Sequence, residues 1–309
     1  MIVVFGSTNL DQVGTVSRLP APGETVAGGT FSMAPGGKGA NQALAARRAG
    51  ADVRHVSAVG DDAFADMALK LLRDGGVDLS EVRAAPAATG IAMIFVDASG
   101  ENVIAVLPGA NGTVSPEDAD RTLAGLTASD TILLQQEIPQ AATERALDLA
   151  KAQGMTSILN TAPFLDSTRA VAPKAAILIA NETEFGLLTG RPLAELDAAM
   201  TEWAAENSQT VIVTLGPDGA KAATPEGLIH VPAHKVTPVD TVGAGDTFMG
   251  ALIDGLVDAD VAGADRRAAL RELPLGVLER IMRRSADAAA ITVSRPGADP
   301  PTREELPAA

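Results

Sequence analysis

The chain contains no cysteine, which excludes a disulfide framework, a thiolate metal site and a cysteine nucleophile, and fits a reducing cytoplasm. Histidine is scarce too. His55, His230 and His234 are the only three and share no metal-like spacing, so structural or surface roles are expected of them. A single tryptophan, Trp203, and scattered methionines point to packing rather than to a cofactor box. No apolar run approaches the roughly 20 residues of a membrane span. Met1 leads straight into Ile2-Val3-Val4-Phe5 without the basic leader and apolar stretch of a secretory signal, and a soluble, cytoplasmic protein is expected. Positive charge is also short: 24 Lys+Arg face 39 Asp+Glu, a net charge of −15. Nucleic acid and anionic membrane both require a positive field, so neither is expected as a partner. An anionic substrate would depend on local donors such as backbone amides, Lys38 and a divalent cation.

What is present is an ordinary globular composition, 46% hydrophobic and 20% charged over 309 residues, with strand-length apolar runs alternating with alanine-rich helical stretches. The spacing predicts buried strands at Ile2–Phe5, Val53–Val59, Thr131–Leu134, Ser157–Asn160, Ala176–Ile179 and Val211–Thr214, and helices near 38–50, 62–75, 140–153, 181–189 and 195–206. Repeated β-α order with unbroken Val/Ile/Leu strands implies an α/β fold, a mostly parallel sheet covered by helices on both faces. Ligands in such sheets bind at the carboxyl ends of the strands. Residues 12–32 and 89–107 break the pattern. They read as alternating strands forming one small antiparallel sheet, discontinuous in sequence, that projects as a lid. Its apolar face would be left bare, so pairing with a second subunit is expected.

Four polar clusters fall between these elements. Asp240-Thr241-Val242-Gly243-Ala244-Gly245-Asp246-Thr247-Phe248 sets two carboxylates around a glycine-spaced turn that opens a helix. Helix-start amides attract phosphate, and Asp246 would stand at the mouth of that anion site as a base; close helix packing would use the same glycines. Gly36-Gly37-Lys38-Gly39-Ala40-Asn41-Gln42 opens another helix. It is not a nucleotide P-loop, because Ser32 stands where the first glycine belongs and Gly39 where the hydroxyl belongs. Gly6-Ser7-Thr8-Asn9-Leu10-Asp11 follows the first strand and suits a polyhydroxylated ligand or an Asx-capped turn. In Asn181-Glu182-Thr183-Glu184, Asn181 and Glu184 share one helix face and suit either magnesium or a helix cap.

Together these pieces resemble the ribokinase group of the PfkB-type sugar and nucleoside kinases. The resemblance runs from Gly6 to about Pro300 and rests on GSTNLD, APGGKGANQA, NETE, TLG and DTVGAGDTF, in the family's order and at comparable intervals. It implies one ribokinase-like α/β/α domain over 1–309 with a small β-sheet lid. It implies ATP-dependent phosphorylation of D-ribose at the 5-hydroxyl, with Asp246 as general base and Gly243, Ala244 and Gly245 as the anion hole. The resemblance assigns Asn9, Asp11, Gly37, Lys38, Asn41 and Glu137 to the sugar, beside Asp246. Asn181, Thr214, Gly216, Gly219, Gly245 and Ala286, with Ala290 nearby, would line the ATP site, and Glu184 would hold magnesium through water. Asp240, Val242, Thr292, Arg295 and Gly297 match positions around a monovalent cation, expected to be potassium, held mostly by backbone oxygens.

Two departures stand out. Pro301, followed by Thr302, occupies a loop position where a serine is familiar, and Asp258–Leu278 is longer and more charged than the usual connection, with a break at Pro274-Leu275-Gly276. GSTNLD with GGKGANQ favours ribose. Fructose, 2-deoxyribose, adenosine and pseudouridine are the competing substrates, since lid residues such as Ile91, Met93 and Ile104 could line either kind of pocket. A non-catalytic sugar sensor on the same fold would be expected to have lost Asp246 or its glycines, and all are present.

Overall fold

Runs such as Ile2-Val3-Val4-Phe5 have no polar face, so a strand made from them needs apolar cover on both sides. A computed structural model of the protein, describing residues 1–259 and 273–307, supplies that cover. In chain order its elements are β1 (Ile2–Phe5), β2 (Asn9–Val16), β3 (Gly28–Gly36), α1 (Lys38–Ala49), β4 (Val53–Gly60), α2 (Ala63–Asp74), β5 (Asp78–Ala85), β6 (Gly90–Val96), β7 (Asn102–Leu107), α3 (Pro116–Leu123) and β8 (Thr131–Leu134). They continue through α4 (Gln140–Ala152), β9 (Thr156–Asn160), α5 (Thr168–Val171), β10 (Ile177–Asn181), α6 (Glu182–Thr189), α7 (Leu196–Asn207), β11 (Thr210–Thr214), β12 (Ala220–Thr224), β13 (Gly227–Val231), α8 (Ala244–Asp258) and α9 (Leu275–Val293).

Among the described residues, nine strands form the main sheet in the order β13-β12-β11-β10-β9-β8-β1-β4-β5. Every pair from β11 to β5 is parallel, and β12 and β13 add an antiparallel edge. Successive side chains of one strand enter opposite cores. Val3 and Phe5 pack with α3, α4, α6 and α7, whereas Ile2 and Val4 pack with α1, α2, α8 and α9. The six expected strands and five expected helices are present to within a residue or two. β5, α3 and the β12–β13 hairpin were not anticipated. β5 carries Glu81 and Arg83 at a half-exposed edge, and β12 is mostly alanine, so neither has the apolar run by which the central strands were recognised.

The lid corrects the expectation in two ways. Its four strands run β3-β2-β6-β7, and β2 lies parallel to β6 rather than antiparallel. Its strands also begin earlier and end later than 12–32, at Asn9 and Gly36. The polar run Asn9–Asp11 is therefore strand rather than turn. Register then sorts the lid's faces. Asn9, Asp11, Ala92, Ile94, Ile104 and Val106 share one face; Phe31, Met33, Ile91, Met93, Phe95, Val103 and Leu107 share the other. Of the lid residues expected near a ligand, only Ile104 lies on the Asp11 side.

α1 and α8 pack side by side at a contact made possible by Gly250. A Cβ there would lie 2.4 Å from Ala45 Cβ and 2.5 Å from Ala46 N. α8 ends at Asp258, and α9 starts at Leu275 directly after Pro274, where the sequence break falls. The rest of the charged tract, 260–272, lies outside the described residues. Among those described, no helix is long and apolar enough to cross a membrane.

Gly250→Ala weighs two opposed effects. Alanine gains about 1 kcal/mol of helix propensity over glycine, but overpacking against a backbone atom costs about 1–3 kcal/mol. A net loss of up to roughly 2 kcal/mol is expected in urea unfolding. Unchanged or raised stability would mean that the two helices have room to separate.

Candidate functional site

β1, β8, β9, β10 and β11 are parallel, so their carboxyl ends open on one edge of the sheet, where α1 and α8 begin. Asp246, in the first turn of α8, is 9% exposed. Its Oδ1 accepts from Gln42 Nε2 at 2.8 Å and its Oδ2 from Asn41 Nδ2 at 3.2 Å. Burial raises its pKa, while the Lys38 charge and these two amide donors oppose the rise. Gly243 caps α8 at φ 76 with no side-chain cap, and a Cβ there would lie 2.5 Å from Ala298 Cβ. The helix start thus presents amides with no intrahelical acceptor next to a carboxylate able to take a proton.

Lys38 is the cation of this edge. Burial works against its ammonium, but the charges of Asp246, Glu137, Glu184 and Asp11 prevail and raise its pKa. Asp11 is displaced from 3.8 to about 6, by burial first and then by Glu137 and Asp246, with Lys38 opposing. Glu137 has a second task. Its Oε2 accepts from Ser7 Oγ at 2.6 Å and from Lys38 N at 3.0 Å. It thereby caps α1, whose N-cap, Gly37, has no side chain to do so.

Asn9 is oriented by a residue the sequence reading missed. Asn111 Nδ2 donates to Asn9 Oδ1 at 2.7 Å and to Thr8 O at 3.1 Å, while its Oδ1 accepts from Thr8 N at 2.9 Å. With Oδ1 engaged, Asn9 has its Nδ2 to offer. Behind this loop, His55 Nδ1 meets Val4 O at 3.2 Å and Nε2 meets Thr8 Oγ1 at 2.9 Å. Full burial pushes its pKa down to about 4, against the Val4 bond, so a neutral ring supports the loop from inside. Gln42 was also missed as a site residue, although it stands in the glycine-rich segment. Nothing in its spacing distinguishes a buried amide from an exposed one.

On the other side of the α8 start lies a cavity of about 800 Å³ lined by Thr214, Gly216, Gly219, Ala244, Gly245 and Ala286, among others. Ala290, Phe248 and the segment Ala233–Val236 complete much of its wall; the last was not foreseen, being a loop without a motif. Ala244 and Gly245 thus face the cavity while Asp246 faces Lys38.

Asn181 is not among the residues lining this cavity. It is exposed, pairs in register with Thr214, and caps α6 in a capping box with Glu184. Glu184 Oε2 accepts from Asn181 N at 3.1 Å and Thr161 Oγ1 at 3.0 Å. The cap is therefore real, and it turns Glu184 inward to where its charge reaches Lys38. Among the described residues no three Asp, Glu or His side chains form a metal cluster.

Of the remaining predicted ligands, Asp240, Val242 and Gly297 are joined directly by hydrogen bonds. Asp240 Oδ1 accepts from Val242 N at 3.0 Å and Oδ2 from Gly297 N at 2.9 Å. Thr292 is buried, with its hydroxyl on Thr247 Oγ1 at 3.0 Å. The guanidinium of Arg295 turns instead to Asp299 and Glu305, which leaves only its backbone for a cation. Pro301 is buried beside this loop.

Residues 1–305 match the model of the pfkB family carbohydrate kinases. The chain is 37% identical to the deoxyribokinase of Salmonella typhi, over 87% of this chain and 90% of that protein. It is 38% identical to the ribokinase of Staphylococcus aureus, over 82% of this chain and 86% of that one. A structure of Arabidopsis thaliana ribokinase complexed with ribose and ATP superposes with a TM-score of 0.82 at 28% identity, covering 98% and 96% of the two chains.

The Asp11 shift carries a stability consequence. Its folded pKa lies above the unfolded value, so native protein binds the extra proton, and the contribution is present below about pH 4 and lost as pH rises through about 6. A displacement of this size corresponds to roughly 3 kcal/mol. Asp11→Asn is expected to stabilise the protein by roughly 1–3 kcal/mol at neutral pH and by almost nothing near pH 4. Denaturant melts of both proteins at the two pH values measure this; a variant no more stable at pH 7 would show that Asp11 bears no such cost.

Proposed function

The chain belongs to the pfkB family of carbohydrate kinases and is a ribokinase-type sugar kinase, and from that premise we propose that it transfers the γ-phosphoryl group of ATP to the 5-hydroxyl of D-ribose, giving ribose 5-phosphate and ADP. The observation that carries this reading is the two-sided start of α8. Gly245 faces the apolar cavity, and the next residue, Asp246, faces Lys38 and Asn41. A nucleotide and a sugar placed on the two sides would meet at one helix N-terminus.

In this reading Asn9, Asp11, Gly37, Lys38, Asn41 and Glu137 hold the sugar's hydroxyls. Asp246 accepts the proton of the primary hydroxyl as that oxygen forms its bond to the γ-phosphorus and the bond to ADP breaks. Amides of Gly243, Ala244 and Gly245 stabilise charge on the transferred group. Thr214, Gly216, Gly219, Ala286 and Ala290 flank the nucleotide, with Asn181 at its polar end. Magnesium, when bound, neutralises phosphate oxygens, and Glu184 would hold one of its waters. Such help is needed because the carboxylates around Lys38 outnumber it. Potassium would lie between Asp240 and the carbonyls near Thr292, Arg295 and Gly297.

A second substrate has specific support: the deoxyribokinase relative is as similar as the ribokinase one. The two sugars differ by one hydroxyl, and a site built to bond that hydroxyl rejects its absence by several powers of ten. The exposed lid residues Phe31, Val103 and Leu107 further support a homodimer joined through the lid.

Turnover with ribose, 2-deoxyribose, fructose, adenosine and pseudouridine decides the substrate, ribose being expected to give the highest kcat/KM; preference for another member of the panel would replace it. Asp246→Asn is expected to lower kcat by about 10² to 10⁴ with little change in sugar affinity, and near-normal turnover would remove Asp246 from the role. Replacing potassium by a large organic cation should slow the enzyme, and an unchanged rate would eliminate the cation site. Sedimentation should give a dimer that Phe31→Asp with Val103→Asp weakens; a monomeric parent would refute the lid interface.

A further inference from the structure

Gln42 has no exposed surface, so no substrate touches it, yet it donates to the carboxylate on which the proposed chemistry depends. Its amide is satisfied in one orientation. Nε2 donates to Asp246 Oδ1 at 2.8 Å and to Asn160 Oδ1 at 3.3 Å, while Oε1 accepts from Gln135 Nε2 at 2.6 Å. The polarity of this chain is anchored in the backbone. The carbonyl of Ile179 can only accept, so Asn160 turns Nδ2 toward it at 3.3 Å and presents Oδ1 to Gln42. A flipped Gln42 would set its oxygen against the oxygens of Asp246 and Asn160, and its nitrogen against a donor.

Gln135 holds its own orientation at a cost. Its Oε1 is buried without a partner among the described residues, and a Cβ on Gly6 would lie 2.0 Å from it. A buried acceptor left unpaired is unfavourable, and the arrangement gains in return a donor directed at Gln42.

We infer that Gln135, Gln42 and Asn160 form a positioning chain that presents a fixed N–H to Asp246, keeping its carboxylate ionised and aimed for the sugar's hydroxyl. This rests on the reading of Asp246 as the base. Burial disfavours a charged carboxylate, whereas an N–H donor favours it. Asn41 also donates, but it is half-exposed and proposed to meet the sugar, so Gln42 is the donor that remains whatever occupies the site. Burial, the Lys38 ammonium and the Glu137 and Asp11 carboxylates also act on Asp246, and the role of Gln42 is to extend toward lower pH the range over which the base is competent.

The test is single-turnover phosphoryl transfer followed over about pH 5 to 9, with equilibrium sugar binding measured alongside. Gln42→Met should move the acid limb of the rate upward by about one pH unit. Gln42→Glu should move it further, because a second carboxylate faces the first, and Gln135→Met should move it less, with sugar affinity nearly unchanged in all three. A rate lowered equally at every pH, or a change in sugar affinity alone, would overturn the inference. So would an unmoved limb in both Gln42 variants while Asp246→Asn abolishes transfer. Normal transfer by Asp246→Asn would instead overturn the base reading itself. Should Gln42→Glu fail to fold, Gln42→Met and Gln135→Met decide the question.

Discussion

The close contact between α1 and α8 is the constraint on which the site depends. Asn41 and Gln42 lie near the start of one helix and Asp246 in the first turn of the other, and they meet at hydrogen-bond distance only because Gly250 lets the helices approach. Each helix start is then tied down from elsewhere. Glu137 holds α1 through the Lys38 amide, and Ala298 packs against Gly243 at the start of α8. Arg48, in the last turn of α1, donates to Asp299 Oδ1 and Pro300 O. The C-terminal loop thereby binds both helices into one unit, and a shift in any member would reach Asp246.

Charge explains much of what surrounds that unit. A chain of net charge −15 gathers Asp11, Glu137, Glu184 and Asp246 about Lys38. Buried carboxylates are costly, and the raised pKa of Asp11 reflects that cost. The arrangement suits a neutral, hydroxyl-rich ligand, which takes up carboxylate lone pairs without adding charge. It is hostile to a polyphosphate except on the far side of α8, where amides and an apolar wall replace the acids. In the proposed reading, separation of the two substrates is thus an electrostatic consequence of the site rather than a matter of shape alone.

Much of the fold was legible because its signals are local and redundant. β1, β8 and β11 announce themselves as unbroken apolar runs, and α1 and α8 follow glycine-rich starts. The order of several motifs carried the family more firmly than any one of them. Legibility failed where a residue's role depends on what lies across from it. Asn9–Asp11 reads as a turn because short polar residues favour turns, yet it is strand, held by pairing with β3 and β6. Asn181 and Glu184 left cap and metal readings open. The capping box exists, and by fixing Glu184 it also aims the carboxylate inward. Asn111 and Gln135 lie in segments with no periodic or motif signal, and their partners are distant in sequence.

The sequence by itself determined the layered α/β architecture, the family and the set of polar residues at the strand ends, because periodicity, helix starts and motif order are properties of neighbours along the chain. Only the tertiary structure decided which carboxylate is buried, which amide orients it, and which face of the lid looks toward Asp11. Those outcomes arise from contacts between segments distant along the chain, such as Asn41 with Asp246, 205 residues apart. Desolvation and hydrogen-bond polarity there depend on packing, which one-dimensional order does not record.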